Sequence, residues 1–507
     1  MKTLDDLHPL IAYLREISPL QSAISLLSWD QETYMPKGGG EVRAEQLATL
    51  EGMAHQKTVG PKMQHLLSKW IDINSGKILE DQWDDRSHAL LREVWRDFSM
   101  ARKLPIRFVK RFAQVTSLAQ QVWVEAKKDN DFALFAPHLK TIVSLKKEEA
   151  DYMGYQQTPY NALLDHYEPG LTVAVLAPLF ASLKGEIGAL LDRVIGSPVR
   201  LRDDFIHRFY PEKAQLVLGR IVLQAMGYRL DQGRQDLSAH PFTTSFHPTD
   251  VRITTRVCEQ DLLSSLFSTL HEGGHALYDQ GLDPQYFGTP LGEAISLGIH
   301  ESQSRLWENG IGRSISFWKY FLPILKETFP RTLEDIDIDD FYASVNIVRP
   351  SLIRVEADEL TYNLHIMVRF EIERALIEQD MPVSDLPSMW REKMTDALGI
   401  APHSDTDGVL QDVHWSCGAF GYFPTYTLGN LCAAQFLAQA KHDLPDLTGD
   451  IAQGRLATLT AWLNKKIHCW GRRYSSDELL RQVTGEPLNP DHFMEYLTEK
   501  YTEVYRL

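Results

Sequence analysis

Residues 259–281 read EQDLLSSLFSTLHEGGHALYDQG. Leu262, Leu263, Leu266, Phe267, Leu270 and Leu277 recur at three- and four-residue intervals, the period of a helix with one apolar face. His271 and His275 then stand four residues apart, so their imidazoles project from the same side of that helix. Two nitrogens so placed reach one divalent cation at about 2.0–2.1 Å. Glu272 falls beside them, where a carboxylate can take a proton from water. Gly273 and Gly274 each cost about 1 kcal/mol in a helix interior. Their presence predicts a close approach at this turn, by substrate or by a packed neighbour.

The same helical period dominates the rest of the 507-residue chain. Residues 88–101 carry Leu90, Leu91, Val94, Trp95 and Phe98 on one face, and the stretch after Pro350 continues the period through Leu360, Leu364, Met367, Phe370 and Leu376. Ser475 and Glu478 have capping-box spacing with Gly485 as a stop, and Asn489-Pro490 predicts a helix start with Asn as N-cap and Pro at the first helical position. Strand signals are few. His240–Val257, rich in Thr, Val and Ile between turn residues, is the best β candidate. The expected fold class is mainly α with a small β element beside the metal helix. No linker, repeat or low-complexity run interrupts residues 1–507, which predicts one compact architecture.

Asp and Glu outnumber Lys and Arg 68 to 52, a net charge of -16. That balance argues against nucleic acid, whose phosphates need Lys and Arg, and against anionic membrane surfaces. The sequence shows no apolar stretch of about 20 residues and no secretory h-region at its start. Its four cysteines, Cys258, Cys417, Cys432 and Cys469, form no CxxC pair. A cytoplasmic setting is expected.

Two histidines do not complete a metal sphere. The extended HExxHxxGxxH pattern fails, because Tyr278 replaces its Gly and Gly281 its last His. Spacing leaves the third donor open among Glu301, His300 and Glu293, with Glu301 favoured because a His₂Glu set keeps the fourth position for water.

Several further runs accompany HEGGH: His240-Pro241-Phe242, Asp250-Val-Arg252-Ile-Thr254, His300-Glu301-Ser302-Gln303, and Ile353-Arg354-Val-Glu-Ala357-Asp358. SWDQETYMP at 28–36, YEPG at 167–170 and DVHWSCGAFGYFPTYTLGN at 412–430 join them. In this order they resemble the motifs of the Taq-type metallocarboxypeptidases, across nearly the whole chain. The resemblance implies a helical fold like that of neurolysin and the angiotensin-converting peptidases, with two helical halves flanking a deep central channel. It also implies one Zn²⁺ or Co²⁺ per chain with Glu301 as third ligand, a homodimer, and release of C-terminal amino acids from peptides with broad tolerance.

Such a reaction would use Glu272 as general base and then general acid, with donors for the developing oxyanion. His414 and Tyr422 are the candidates by resemblance to related folds, and Tyr426 lies beside them. A free substrate carboxylate calls for a guanidinium. Arg354, to which the family motif points, and Arg349, before Pro350 at an expected helix entrance, are the candidates. The alternative for Arg354 is an intrahelical ion pair with Asp358. Arg252 either binds substrate or pairs with Asp250, and His240 binds substrate or shapes a turn. Rival readings are an endopeptidase on the same scaffold, or a catalytically silent metal- or peptide-binding protein.

Overall fold

The structure is a computed structural model that describes residues 1–507. It is mostly helical with one three-stranded sheet, as the sequence pattern requires. The chain forms two compact units, each assembled from three segments. The first comprises Met1–Arg102, Leu201–Val345 and Cys432–Leu488; the second comprises Lys103–Arg200, Asn346–Leu431 and Asn489–Leu507.

In the first unit, helix α1 (His8–Thr33) precedes the elements that build the metal centre: α2 (Glu212–Met226), strands β1 (Gly233–Leu237), β2 (Thr243–His247) and β3 (Asp250–Thr255), α3 (Leu262–Gly281) and α4 (Leu297–Arg305). The strands are ordered β1-β3-β2. β2 and β3 fall within the β candidate 240–257 and pair as an antiparallel hairpin, with Thr243 opposite Ile253. β1 adds in parallel, with Asp236 opposite Thr254. That strand was not visible in the sequence, because GRQDL is polar and short. Val251 and Ile253 of β3 are fully buried, and Gln235 Nε2 donates to Thr269 Oγ1 of α3 at 3.0 Å. The sheet is thereby fixed to the metal helix. The start of α3 is set by Asp261, whose side chain accepts from the backbone N–H groups of Leu263 and Ser264, the usual N-cap role of Asp.

In the second unit the central element is α5 (Glu359–Glu378), which is buried on nearly every face, as a helix surrounded by others must be. Here the sequence reading needs correction. The helix does not run from Pro350; it begins at Glu359, and Arg354–Glu356 forms a separate 3₁₀ turn. Asp358 is the N-cap, accepting from Thr361 N at 2.9 Å and Thr361 Oγ1 at 2.8 Å. Arg349 is therefore not at a helix entrance, and Arg354 forms no intrahelical pair with Asp358. Near the C-terminus the Ser475–Glu478 capping box is present. The last helix starts at Asp491, one residue later than expected, with Asn489 Oδ1 accepting from Asp491 N.

Contrary to the expectation of no membrane-length stretch, one helix, Val173–Gly196, is long and apolar enough to cross a membrane. It buries Leu176, Phe180, Leu183, Ile187 and Leu190 at helical spacing, so it packs by one face, with 33% of its apolar window buried.

Candidate metal centre

His271 and His275 project from one face of α3, and Glu301 comes from α4. Their three donor atoms lie within 4.8 Å of one another. Glu301 Oε2 sits 3.3 Å from His275 Nε2 and 3.7 Å from His271 Nε2. Its other oxygen, Oε1, accepts from Arg305 Nε at 2.7 Å. The carboxylate therefore presents one oxygen to the histidines. Two imidazole nitrogens and one oxygen are a donor set that suits a first-row divalent cation and leaves room for water. Glu293, the other carboxylate weighed, instead pairs with Arg472 at 3.1 Å. His300 is not a donor either: its Nδ1 faces His275 Nδ1 rather than the cluster.

The glycines of HEGGH answer to packed neighbours. A Cβ on Gly274 would stand 2.6 Å from the Gln303 carbonyl oxygen and 2.7 Å from Ser304 Cα. The backbone of α4 thus lies directly against α3, which is how Glu301 reaches the histidines. A Cβ on Gly273 would meet Leu223 and Met226 side chains of α2 at 2.9 Å. Gly274→Ala should cost about 1–3 kcal/mol through overpacking against backbone and weaken metal binding by displacing Glu301. Gly273→Ala should cost less, since Met226 can move and Ala favours the helix. Urea unfolding and a metal titration of both variants check the order.

Three partners that the sequence did not reveal hold this centre. Thr243 Oγ1, at the start of β2, donates to Glu272 Oε2 at 2.6 Å. Glu308 Oε2 contacts His271 Nδ1 at 2.8 Å, and Arg305 Nη1 lies 3.3 Å from the same oxygen. Glu308 reaches this position from a π-helical turn, Leu306–Ile311, that follows α4. Such turns have no local sequence signature, and they often occur at functional sites. The Glu308 carboxyl is held at about 2: burial alone would raise it, but Arg305 and His271 more than offset that.

Arg252 and His240 also belong to this unit. Arg252 binds Asp250 bidentately, both contacts at 2.9 Å, and its guanidinium lies over Trp29, 4.5 Å from the ring centre. His240 is exposed in the β1–β2 connection, where its carbonyl accepts from Ser238 Oγ.

The second unit groups the other candidates. Arg354 is buried, 5% exposed. Its Nε and Nη2 donate to Asp412 Oδ1 at 3.1 and 2.8 Å, and its Nη1 donates to Tyr362 Oη at 2.9 Å. Arg369 Nε donates to Asp412 Oδ2 at 2.7 Å. Arg349 is exposed, and its backbone N–H donates to Asp358 Oδ2. His414 lies 5.4 Å from Tyr422 between ring centres, and its Nε2 is 3.4 Å from Tyr426 Oη. Burial, with help from the two guanidiniums, holds the His414 imidazole down at about 4. It is therefore neutral at pH 7.

The loop carrying these rings is fastened to α5 by Glu373. That carboxylate accepts from Trp415 Nε1, Tyr160 Oη and Gly421 N at 2.8, 2.6 and 2.8 Å. Gly421 has φ +85°, and a Cβ there would stand 2.7 Å from the Leu163 backbone; only glycine fits.

Known proteins are similar to this chain over nearly its whole length. The family model for carboxypeptidase Taq (M32) metallopeptidases matches residues 9–501. The chain is 44% identical to thermostable carboxypeptidase 1 of Thermus thermophilus, covering 98% of both proteins. It is 40% identical to carboxypeptidase 1 of Bacillus subtilis, covering 97% of both. Among solved structures, the M32 carboxypeptidase of Deinococcus radiodurans superposes with a TM-score of 0.94 at 38% identity, over 98% of this chain and 99% of that one. A Pyrococcus furiosus carboxypeptidase gives 0.94 at 39% identity over 98% of each.

Proposed function

Because this chain belongs to the carboxypeptidase Taq (M32) metallopeptidase family and is thus a metallocarboxypeptidase, we propose that it releases C-terminal amino acids from peptides, with broad tolerance, using one Zn²⁺ or Co²⁺. His271, His275 and Glu301 would hold the cation. The observation that carries the reading is this three-donor cluster with the Glu272 carboxylate, fixed by Thr243, next to it in sequence. A cation so held acidifies water and polarises a carbonyl.

Glu272 supplies the proton traffic. Its Oε2 accepts from Thr243, and the carboxylate so held takes the proton of the attacking water and returns it to the leaving amide nitrogen. His414 and Tyr422 are proposed as donors to the developing oxyanion, with Tyr426 beside them. Arg354, held by Asp412 and Tyr362, and Arg349, on the surface, are both proposed to read the free carboxylate. The family resemblance also supports a homodimer, and four cysteines outside any disulfide support a cytoplasmic setting.

The test compares a peptide with a free C-terminus against the same peptide ending in an amide. Stepwise loss of terminal residues from the first and little change in the second is expected. Equal internal cleavage of both would instead identify an endopeptidase. Arg349→Ala should raise KM for the free acid by about 10-fold or more with a smaller effect on kcat. An unchanged KM would leave the role to Arg354 alone.

A further inference from the structure

The two metal-binding imidazoles are supported unequally. His271 Nδ1 meets a carboxylate directly, at Glu308. His275 Nδ1 instead meets another imidazole: His300 Nδ1 lies 2.5 Å away, and His300 Nε2 is 3.1 Å from Asp279 Oδ1. The His300 ring is held in place by stacking. Its plane is tilted only 23° from that of His275, as an in-plane N–H···N contact requires, and the fully buried Tyr278 is stacked on it at 5.2 Å and 29°.

Proton positions in this chain follow from elementary chemistry. A neutral imidazole has one N–H and one lone pair. His275 turns Nε2 toward Glu301 Oε2, so a cation among the three donors uses that lone pair and leaves the His275 proton on Nδ1. His300 Nδ1 must then accept. Its own proton is on Nε2 and points to Asp279, a carboxylate that can only accept. One assignment of tautomers satisfies both contacts.

We propose that His300 and Asp279 are positioning residues. Together they fix the tautomer and ring angle of His275 and so set how tightly the cation is held. Asp279 lies four residues after His275 on α3, so the acceptor at the end of the chain is presented by the same helix face as the ligand. This inference rests on the metal reading of His271, His275 and Glu301.

The experiment titrates metal-stripped full-length protein with Co²⁺, reading the dissociation constant against a competing chelator together with the visible spectrum. His300→Leu, which removes the acceptor, should bind about 10–100-fold more weakly with an altered spectrum. His300→Asn, which can return an acceptor near Nδ1, should recover most of that loss. Asp279→Ala should weaken binding about 10-fold, and it carries the test alone should circular dichroism show that His300→Leu does not fold. Parent-like affinity and spectrum in Asp279→Ala and in a folded His300→Leu would overturn the proposal. His275→Ala separates the two readings: if it too binds Co²⁺ like the parent, the metal assignment itself has failed.

Discussion

Glu272→Gln is expected to lower kcat by about 10⁴-fold while leaving the bound metal at one per chain. Glutamine matches glutamate in size, and its side-chain oxygen can still accept from Thr243 Oγ1, which lies 2.6 Å from the present carboxylate. Glu272 is not among the three clustered donors, so metal content should not change. What is lost is the basic oxygen that takes a proton from water. Metal analysis of the purified variant, alongside its rate on a free-acid peptide, separates these effects. Thr243→Val, of similar volume but with no hydroxyl, should reduce kcat by a smaller factor, about 10-fold, through a less fixed carboxylate. Activity near the parent level in Glu272→Gln would mean that another group moves the proton.

The contrast between Glu272 and Thr243 shows what the sequence made legible. Glu272, His271 and His275 share one helical turn, so the chemistry follows from a local period. Glu301 could be narrowed to a short segment because a second helix had to supply the missing donor. Thr243, Glu308 and Asp279 could not be assigned. Their roles depend on a strand packed against a helix, on a π-helical turn, and on an imidazole placed between two other groups, and none of these has a periodic signature. The same limit explains the misplaced start of α5. The apolar period continues back across Asp358, whereas the capping hydrogen bonds to Thr361 decide the boundary. β1 escaped notice because its polar residues gain order only by pairing with β3.

Asp412→Asn should be among the most destabilising conservative substitutions in the second unit, costing about 3–5 kcal/mol. Asp412 is the shared counterion of two buried guanidiniums, Arg354 and Arg369, the latter with no exposed surface. An amide keeps the shape but removes the charge, leaving two largely buried cations without their counterion. The pH dependence distinguishes this cause from a packing defect. Burial alone would raise the Asp412 carboxyl, but Arg369 and Arg354 hold it far below the usual carboxylate range. A group depressed in the folded state stabilises fully above its unfolded value, near 3.9, and loses that contribution only as pH falls toward the folded value. His414, held at about 4, and His365, held at about 3 mainly by burial, stay neutral above pH 5. The difference between parent and variant should therefore be flat from pH 5 to 8 in urea unfolding, and shrink only in stronger acid. Replacing all three charges, with Asp412→Leu, Arg354→Met and Arg369→Met together, should restore much of the stability. If Asp412→Asn unfolds at the parent's urea midpoint, the buried pairings are not what orders this loop.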